Sequence, residues 1–401
     1  MFSGLANSIA RETGFVRHSP WDAALVSVIP LLLTAFVLVL FARGVPRGLP
    51  VAVVDDDHSA LSRKLITALQ GVPTARVIAQ PATLAEAGAL VRTGEIFGFL
   101  YVPRGADVDA RRGRRATLFA FFNAQFYTAG NLVARDLEAA AGSLNIALNP
   151  MPPGHNRAVD SRAAREAPVG AQAALLFNPT GSYDWTLGAA LVTALLHIAF
   201  SCTMVLAIGR EIAPGARREW KAAAGGGLLA ALVYKIIFYA IIYTFHGTLY
   251  LIIMRGVFGF PVHGSLPLLI GAQFLFYFAC GCLMSVIIGA SRGDLGFSIA
   301  ICVMLTSAAF TYGDAVFPFA DASLFAKSLS AMLPYTHYMR VQVMQFQMDS
   351  AVRDALPWLG VLALFGAILL PLGTWMLHEV MKLTPETAGA PGGKTSKPAG
   401  A

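Results

Sequence analysis

Six stretches of this sequence are long and apolar enough to cross a bilayer, and they limit every other reading. A spanning helix needs about 20 mostly apolar residues to cover about 30 Å of hydrocarbon. Residues 21–41, 185–208, 228–254, 266–290, 295–312 and 356–376 meet that need. Backbone groups in hydrocarbon must satisfy one another, so each stretch is predicted as a helix. Composition agrees. Only 13% of the 401 residues are charged and 56% are hydrophobic, against about 25% charged in a soluble domain. A disordered chain, a nucleic-acid coat and most soluble enzymes are excluded. The first stretch exceeds the apolar part of a secretory signal, and no small-x-small cleavage site follows it. It reads as an uncleaved anchor.

Six spans return both termini to one side, and the short loops say which. Ten Arg and Lys fall on the side of the termini, among them Arg11, Arg17, Arg210, Arg217, Arg218 and Lys221. Four fall opposite: Arg255, Lys327, Arg340 and Arg353. The positive-inside rule then predicts cytoplasmic termini. The organisation is a cytoplasmic segment 1–20, helix 1 at 21–41, an outside portion 42–183, helices 2–6 within 184–378, and a disordered cytoplasmic tail 379–401. Residues 209–227 form the one substantial inner loop between spans.

The outside portion reads as a small α/β domain on a mixed sheet. Strands are predicted at 49–54, 76–79, 97–102 and 116–122. Helices are predicted from Ser59 as cap to Leu69, at 83–93 and at 126–144, with apolar residues at three-to-four spacing. Residues 145–182, rich in Pro, Gly and Ala, return the chain to the membrane. Asp55-Asp56-Asp57 reads as a strand-end turn favouring the next helix N-terminus rather than as a metal site. The fold class is thus an α-helical polytopic membrane protein of six transmembrane helices, with an extracytoplasmic α/β domain between helices 1 and 2.

Catalytic motifs are missing. Residues 388–395 end in Gly393-Lys394-Thr395 and nearly spell a phosphate loop, but they lack the preceding strand and following helix that the mechanism needs. Cys202, Cys280, Cys282 and Cys302 all lie in apolar stretches and read as packing residues. Inside the spans, Lys235 is expected to snorkel or pair. His197 and His246 are expected to bond neighbouring helices. Segment 313–350 is too apolar for a loop. Pro334 divides it into two short pieces, which re-enter the membrane or lie flat upon it.

Several segments, in this order, resemble ABC-2-type transporter permeases of the six-span bacterial efflux subset. Residues 49–69 (LPVAVVDDDHSALSRKLITAL) are similar to the family's ectodomain opening, and LFNPTGSYDWTLGAAL from Leu176 to its approach to the second span. IGRE at 208–211 and REWKAAAGG at 218–226 sit where the family has its coupling segment. SRGDLGFSIA from Ser291 and LPYTHYMRVQVMQ from Leu333 resemble its last third. After Arg210-Glu211 the family usually continues with an acidic residue and a Gly-Thr step. This chain has Ile212-Ala213-Pro214-Gly215 instead.

The resemblance implies a transport subunit that is not itself an ATPase. It would export hydrophobic or amphiphilic compounds across a bacterial inner membrane. ATP and Mg would be bound by a partner ATP-binding subunit and no cofactor by this chain. Further implied partners are a second permease, identical or related, and a periplasmic adaptor with an outer-membrane channel. Arg210, Glu211, Arg217, Arg218, Glu219 and Trp220 would couple to the ATPase. Pro334, Tyr335, His337 and Tyr338 would lie at an outer gate in a re-entrant hairpin. No metal or nucleic-acid site is expected. The competing reading is a receptor or assembly factor that binds a ligand through the α/β domain, but six spans exceed an anchor's need. An ion-coupled transporter would need a buried carboxylate pair and an inverted repeat, and neither is evident.

Overall fold

A computed structural model describes residues 2–42, 48–72, 74–112, 118–122, 133–135, 137, 184–213, 215–260, 264–313, 323–348 and 350–383. The expected helix at 126–144 lies largely outside these. So do the return loop 145–182, Pro214 and residues 384–401 of the expected tail 379–401; its first residues, 379–383, instead continue the last apolar helix, which ends at Leu383. The chain divides into two compact units, residues 1–42 with 176–401, and residues 43–175.

The smaller unit is a four-stranded mixed sheet ordered β2-β1-β3-β4. Strand β1 (Leu49–Asp55) pairs in parallel with β2 (Ala75–Ala79) and β3 (Gly98–Val102), while β4 (Phe119–Phe122) is antiparallel to β3. Val51, Val53, Leu100 and Val102 pack on one face against Leu61, Leu65 and Leu69 of a helix at Ala60–Gln70. Ser59 caps that helix by accepting from Ser62 N, as expected. On the other face Val54 and Phe99 meet Ala87 of a helix at Leu84–Thr93.

A short helix at Ala106–Arg111 was not expected, and it changes the role of the aspartates. Asp55 Oδ1 accepts from Asp57 N and His58 N, which is the turn foreseen. Asp57, however, reaches across to the short helix. Its carboxylate accepts from Gly105 N at 2.7 Å and Asp107 N at 3.0 Å. Sequence adjacency pointed to the next helix; the sheet brings a later one closer. Burial pushes the Asp57 carboxyl up, but the Ser59 hydroxyl and the N–H groups of Asp107, Gly105 and Ala106 outweigh it. The net shift is downward.

The larger unit holds six apolar helices of spanning length: α2 (Pro20–Leu40), α6 (Trp185–Ile212), α8 (Leu228–Gly256), α9 (Leu266–Ala290), α10 (Leu295–Tyr312) and α13 (Val352–Leu383). The remaining labels are α1 (Phe2–His18), α3 to α5 (the three helices of the smaller unit), α7 (Ala216–Ala223), α11 (Leu324–Ala331) and α12 (Pro334–Gln342). Helix α6 is the hub, with 72% of its apolar window buried against 17% for α13. Small residues allow close crossings. A Cβ on Gly373 would stand 1.9 Å from Ser285 Oγ, and one on Gly289 2.5 Å from Met376 Cβ, so α13 lies directly on α9. Phe36, Phe245, Met304 and Trp375 point out of the bundle.

Pro334 breaks the 313–350 segment where expected. It occupies the first turn of α12, where its missing N–H has no cost. Helix α12 runs on into a π-helical turn at Val343–Gln347. Tyr335, Tyr338, Gln342 and Phe346 are fully buried, so this half is not a surface-lying helix.

Because the Asp57 pKa is lowered on folding, its stabilisation is complete above the unfolded pKa and fades as pH falls through the folded value. Asp57→Asn should therefore speed hydrogen exchange in β1 and β3 at pH 7. The gap to the unaltered protein should close below about pH 4. An equal gap at both pH values would show that the carboxylate charge is not what matters.

Candidate functional site

Lys235 is 1% exposed, eight residues into an apolar helix. An unpaired ammonium there costs about 3 kcal/mol on insertion scales, so the fold must supply carboxylates. Two arrive. Glu211, from the last turn of α6, accepts from Lys235 Nζ at 2.9 Å. Glu12, from α1, accepts from the same Nζ.

Each carboxylate recruits more. Glu211 takes a bidentate pair from Arg11, at 2.5 and 2.8 Å. Glu12 Oε2 accepts from Arg210 Nη2 at 3.0 Å and from the Tyr239 hydroxyl at 3.0 Å. Arg210 also donates to Tyr239 at 2.7 Å and meets Asp22 at 3.0 Å. Three cations thus face three carboxylates with no net charge. Phe15 underlies both arginines, 4.8 Å from Arg11 and 4.0 Å from Arg210. Trp220 of α7 lies 5.5 Å from the ammonium.

Such a cluster explains local structure. Arg210 and Glu211 continue α6 to Ile212, beyond the expected end at 208, because each polar head finds a partner inside the bundle. Helix α1 sits down on its Gly4, Ser8 and Glu12 face, four residues apart. A Cβ on Gly4 would meet Ala224 O at 2.9 Å, so only glycine lets α1 approach the end of α7. Arg217 ties α7 down by donating to Met381 O at 2.5 Å and Ile212 O at 3.1 Å.

The six residues expected in the coupling loop therefore divide. Arg210 and Glu211 are cluster members, Arg217 and Trp220 are buried supports, and Arg218 and Glu219 are exposed. Lys235 pairs rather than snorkels. Arg11, Glu12, Asp22 and Tyr239 were not foreseen. A buried lysine demanded an acidic partner, but nothing local in the sequence pointed to one 223 residues away.

At the opposite end, α12 enters the core. Tyr335 donates to Ala190 O at 2.9 Å. Gln342 Nε2 lies 3.3 Å from Ala189 O, and Gln347 donates to Trp185 O at 2.7 Å. Trp185 in turn sits between Phe260 and Phe346, each 4.7 Å away. His337 rests near Trp358, and its Nε2 lies 2.9 Å from Ala331 O. Pro334, Tyr335, His337 and Tyr338 thus gather around the start of α12. His246 bonds Val26 O at 2.8 Å as expected of it, while His197 bonds nothing among the described residues.

The sequence model for the ABC-2 family transporter proteins matches residues 23–375. The chain belongs to the ABC-2 transporter family. No curated protein and no solved structure matches it. It is therefore a multi-pass membrane protein and an ABC transporter permease. Membership implies an ATP-binding subunit as partner. The matched region takes in the six spans apart from the first residues of α2 and the last of α13, and the charged cluster draws Arg11, Glu12 and Asp22 from outside it.

Removing one member of a buried ion pair strands its partner, at about 3–5 kcal/mol. Lys235→Ala and Glu12→Ala should each lower thermal stability in detergent by that order and release α1 to protease. The double variant Lys235→Ala with Glu12→Ala should lose less than the sum of the two single losses, since neither charge is left facing the other's empty place. Strictly additive losses in the double variant would show that the two charges do not interact.

Proposed function

We propose that this chain is the permease of an ABC exporter. Its charged cluster fixes α1, α6, α7 and α8 as one platform on which a separate ATP-binding subunit docks. What carries the reading is the convergence of Lys235, Glu211, Glu12 and Arg210 directly beneath α7. A loop held only by surface contacts would absorb a push. One anchored through buried ion pairs passes it to three helices. Arg218 and Glu219 point away from the bundle and would meet the partner, while Glu211, Arg217 and Trp220 hold the shape behind them.

In this reading ATP and Mg are bound and hydrolysed by the partner, and this chain contributes no catalytic group. The ten-to-four distribution of basic residues supports a cytoplasmic platform and termini, with residues 42–183 outside an inner membrane. Hydrophobic or amphiphilic compounds are the cargo class best suited to a bundle whose buried Glu, Arg and Lys, among the described residues, are gathered at one end. A second permease, identical or related, would complete the route. A periplasmic adaptor with an outer-membrane channel would extend it. The start of α12, with Pro334, Tyr335, His337 and Tyr338, would form the outer gate.

Charge reversal at Arg218→Glu with Glu219→Lys should cut copurification of the ATP-binding subunit severalfold while leaving thermal stability unchanged. Glu211→Ala and Trp220→Ala should lower both together. Unchanged pairing in the reversed protein would remove α7 as the docking element.

Orientation is read separately. A cysteine at position 112, in a protein lacking the four native ones, should react with an impermeant thiol reagent once the outer membrane is opened. Reaction only after the inner membrane is opened would reverse the topology.

A further inference from the structure

His197 is 3% exposed, and neither ring nitrogen has a hydrogen-bond partner among the described residues. It stands twelve residues into α6 from Trp185, about 18 Å along the axis and so near mid-span. Ser201, one turn on and on the same face, is fully buried and its Oγ is likewise unpartnered among the described residues. Buried polar groups are nearly always paired, and an exception calls for a reason. An ionisable residue inside a span marks function by default. This helix face can satisfy polar groups where it needs to. Thr193, one turn before His197, donates to Gln342 at 3.0 Å.

The walls around His197 are aromatic. Phe276 of α9 lies 5.2 Å from the imidazole, and Tyr335 of α12 stacks on it at 5.9 Å and 14°. Tyr338 stacks on Phe276 at 4.8 Å. Tyr335 is held over the imidazole by its hydroxyl bond to Ala190 O and by its place in the first turn of α12. That turn follows the break at Met332-Leu333 between α11 and α12. The ion cluster is remote: Glu211 lies fourteen residues further along α6, about 21 Å away.

We propose that His197 and Ser201 form a recognition site for the transported compound, taking an uncharged aromatic molecule that carries a hydroxyl or amide N–H. This rests on the permease reading. An imidazole without a carboxylate beside it offers one donor and one acceptor. Flat aromatic walls accept a planar ring by stacking. Among the described residues, the rings packed on His197 carry no charge to offset the desolvation of an ion. Displacing Tyr335 uncovers His197 toward the end of the bundle where α12 begins.

The full chain in lipid nanodiscs, titrated with 1-naphthol and corrected for empty discs, tests this without ATP. Saturable binding is expected. His197→Phe, which keeps the ring, should weaken it about tenfold, the upper scale for one net hydrogen bond. His197→Gln, which keeps the hydrogen bond, should stay within about threefold. Tyr335→Ala should speed association. Naphthalene, lacking the hydroxyl, should bind the unaltered protein about tenfold more weakly. That comparison stands even if a His197 variant does not fold. Equal affinity for the two probes, unchanged binding in His197→Phe, an equal loss in His197→Gln, or no saturable binding overturns the site. Copurification of the ATP-binding subunit, measured on the same proteins, reports on the permease reading separately. Either result can fail while the other holds.

Discussion

A lysine ammonium buried among apolar helices organises one end of this bundle. Lys235 can remain there only if carboxylates come to it, and no residue of its own helix supplies one. Glu211 comes from α6 and Glu12 from α1, and each brings an arginine that must be matched in turn. The cluster closes when three positive and three negative groups balance. An apolar core of the same volume would hold as well or better. What the ions add is specificity of position. Helix α1 can seat on the bundle in only one register, because a turn's slip would part Glu12 from Lys235 and Arg11 from Glu211. In the proposed function that rigidity has a use, since it would carry force from a docked ATP-binding subunit into the bundle.

Away from the cluster, the membrane demands that every irregular backbone group find a partner. The π-helical turn at Ala24–Val28 loosens the hydrogen-bond ladder of α2. The freed carbonyls are then used. Tyr243 donates to Leu25 O and His246 to Val26 O, both at 2.8 Å. A second such pairing joins the starts of α6 and α9 to the end of α12, where Gln347 and Gln345 serve Trp185 O and Ser265 N. These side-chain bonds let α12 stop within the bundle instead of crossing it. Among the described residues, His197 and Ser201 stand against this background as neighbouring buried polar groups left over.

The spans, the mixed sheet and the break at Pro334 were legible in the sequence because each follows from local pattern. Twenty apolar residues must cross or be buried, alternation and three-to-four spacing separate strand from helix, and a proline opens a helix more readily than it continues one. The family resemblance was legible for the same reason, as short segments in a fixed order. The ion cluster was not. Its members lie at positions 11, 12, 22, 210, 211, 235 and 239, and Glu12 and Lys235 are joined across 223 residues of chain. From the sequence, Arg210 and Glu211 read as coupling residues and Lys235 as one that snorkels or pairs, with no partner named. Pattern reports only the neighbours along a chain. Which carboxylate meets which cation was decided by helix packing, which brings the ends of α1, α6 and α8 together at one depth, where an unpaired charge is too costly to keep.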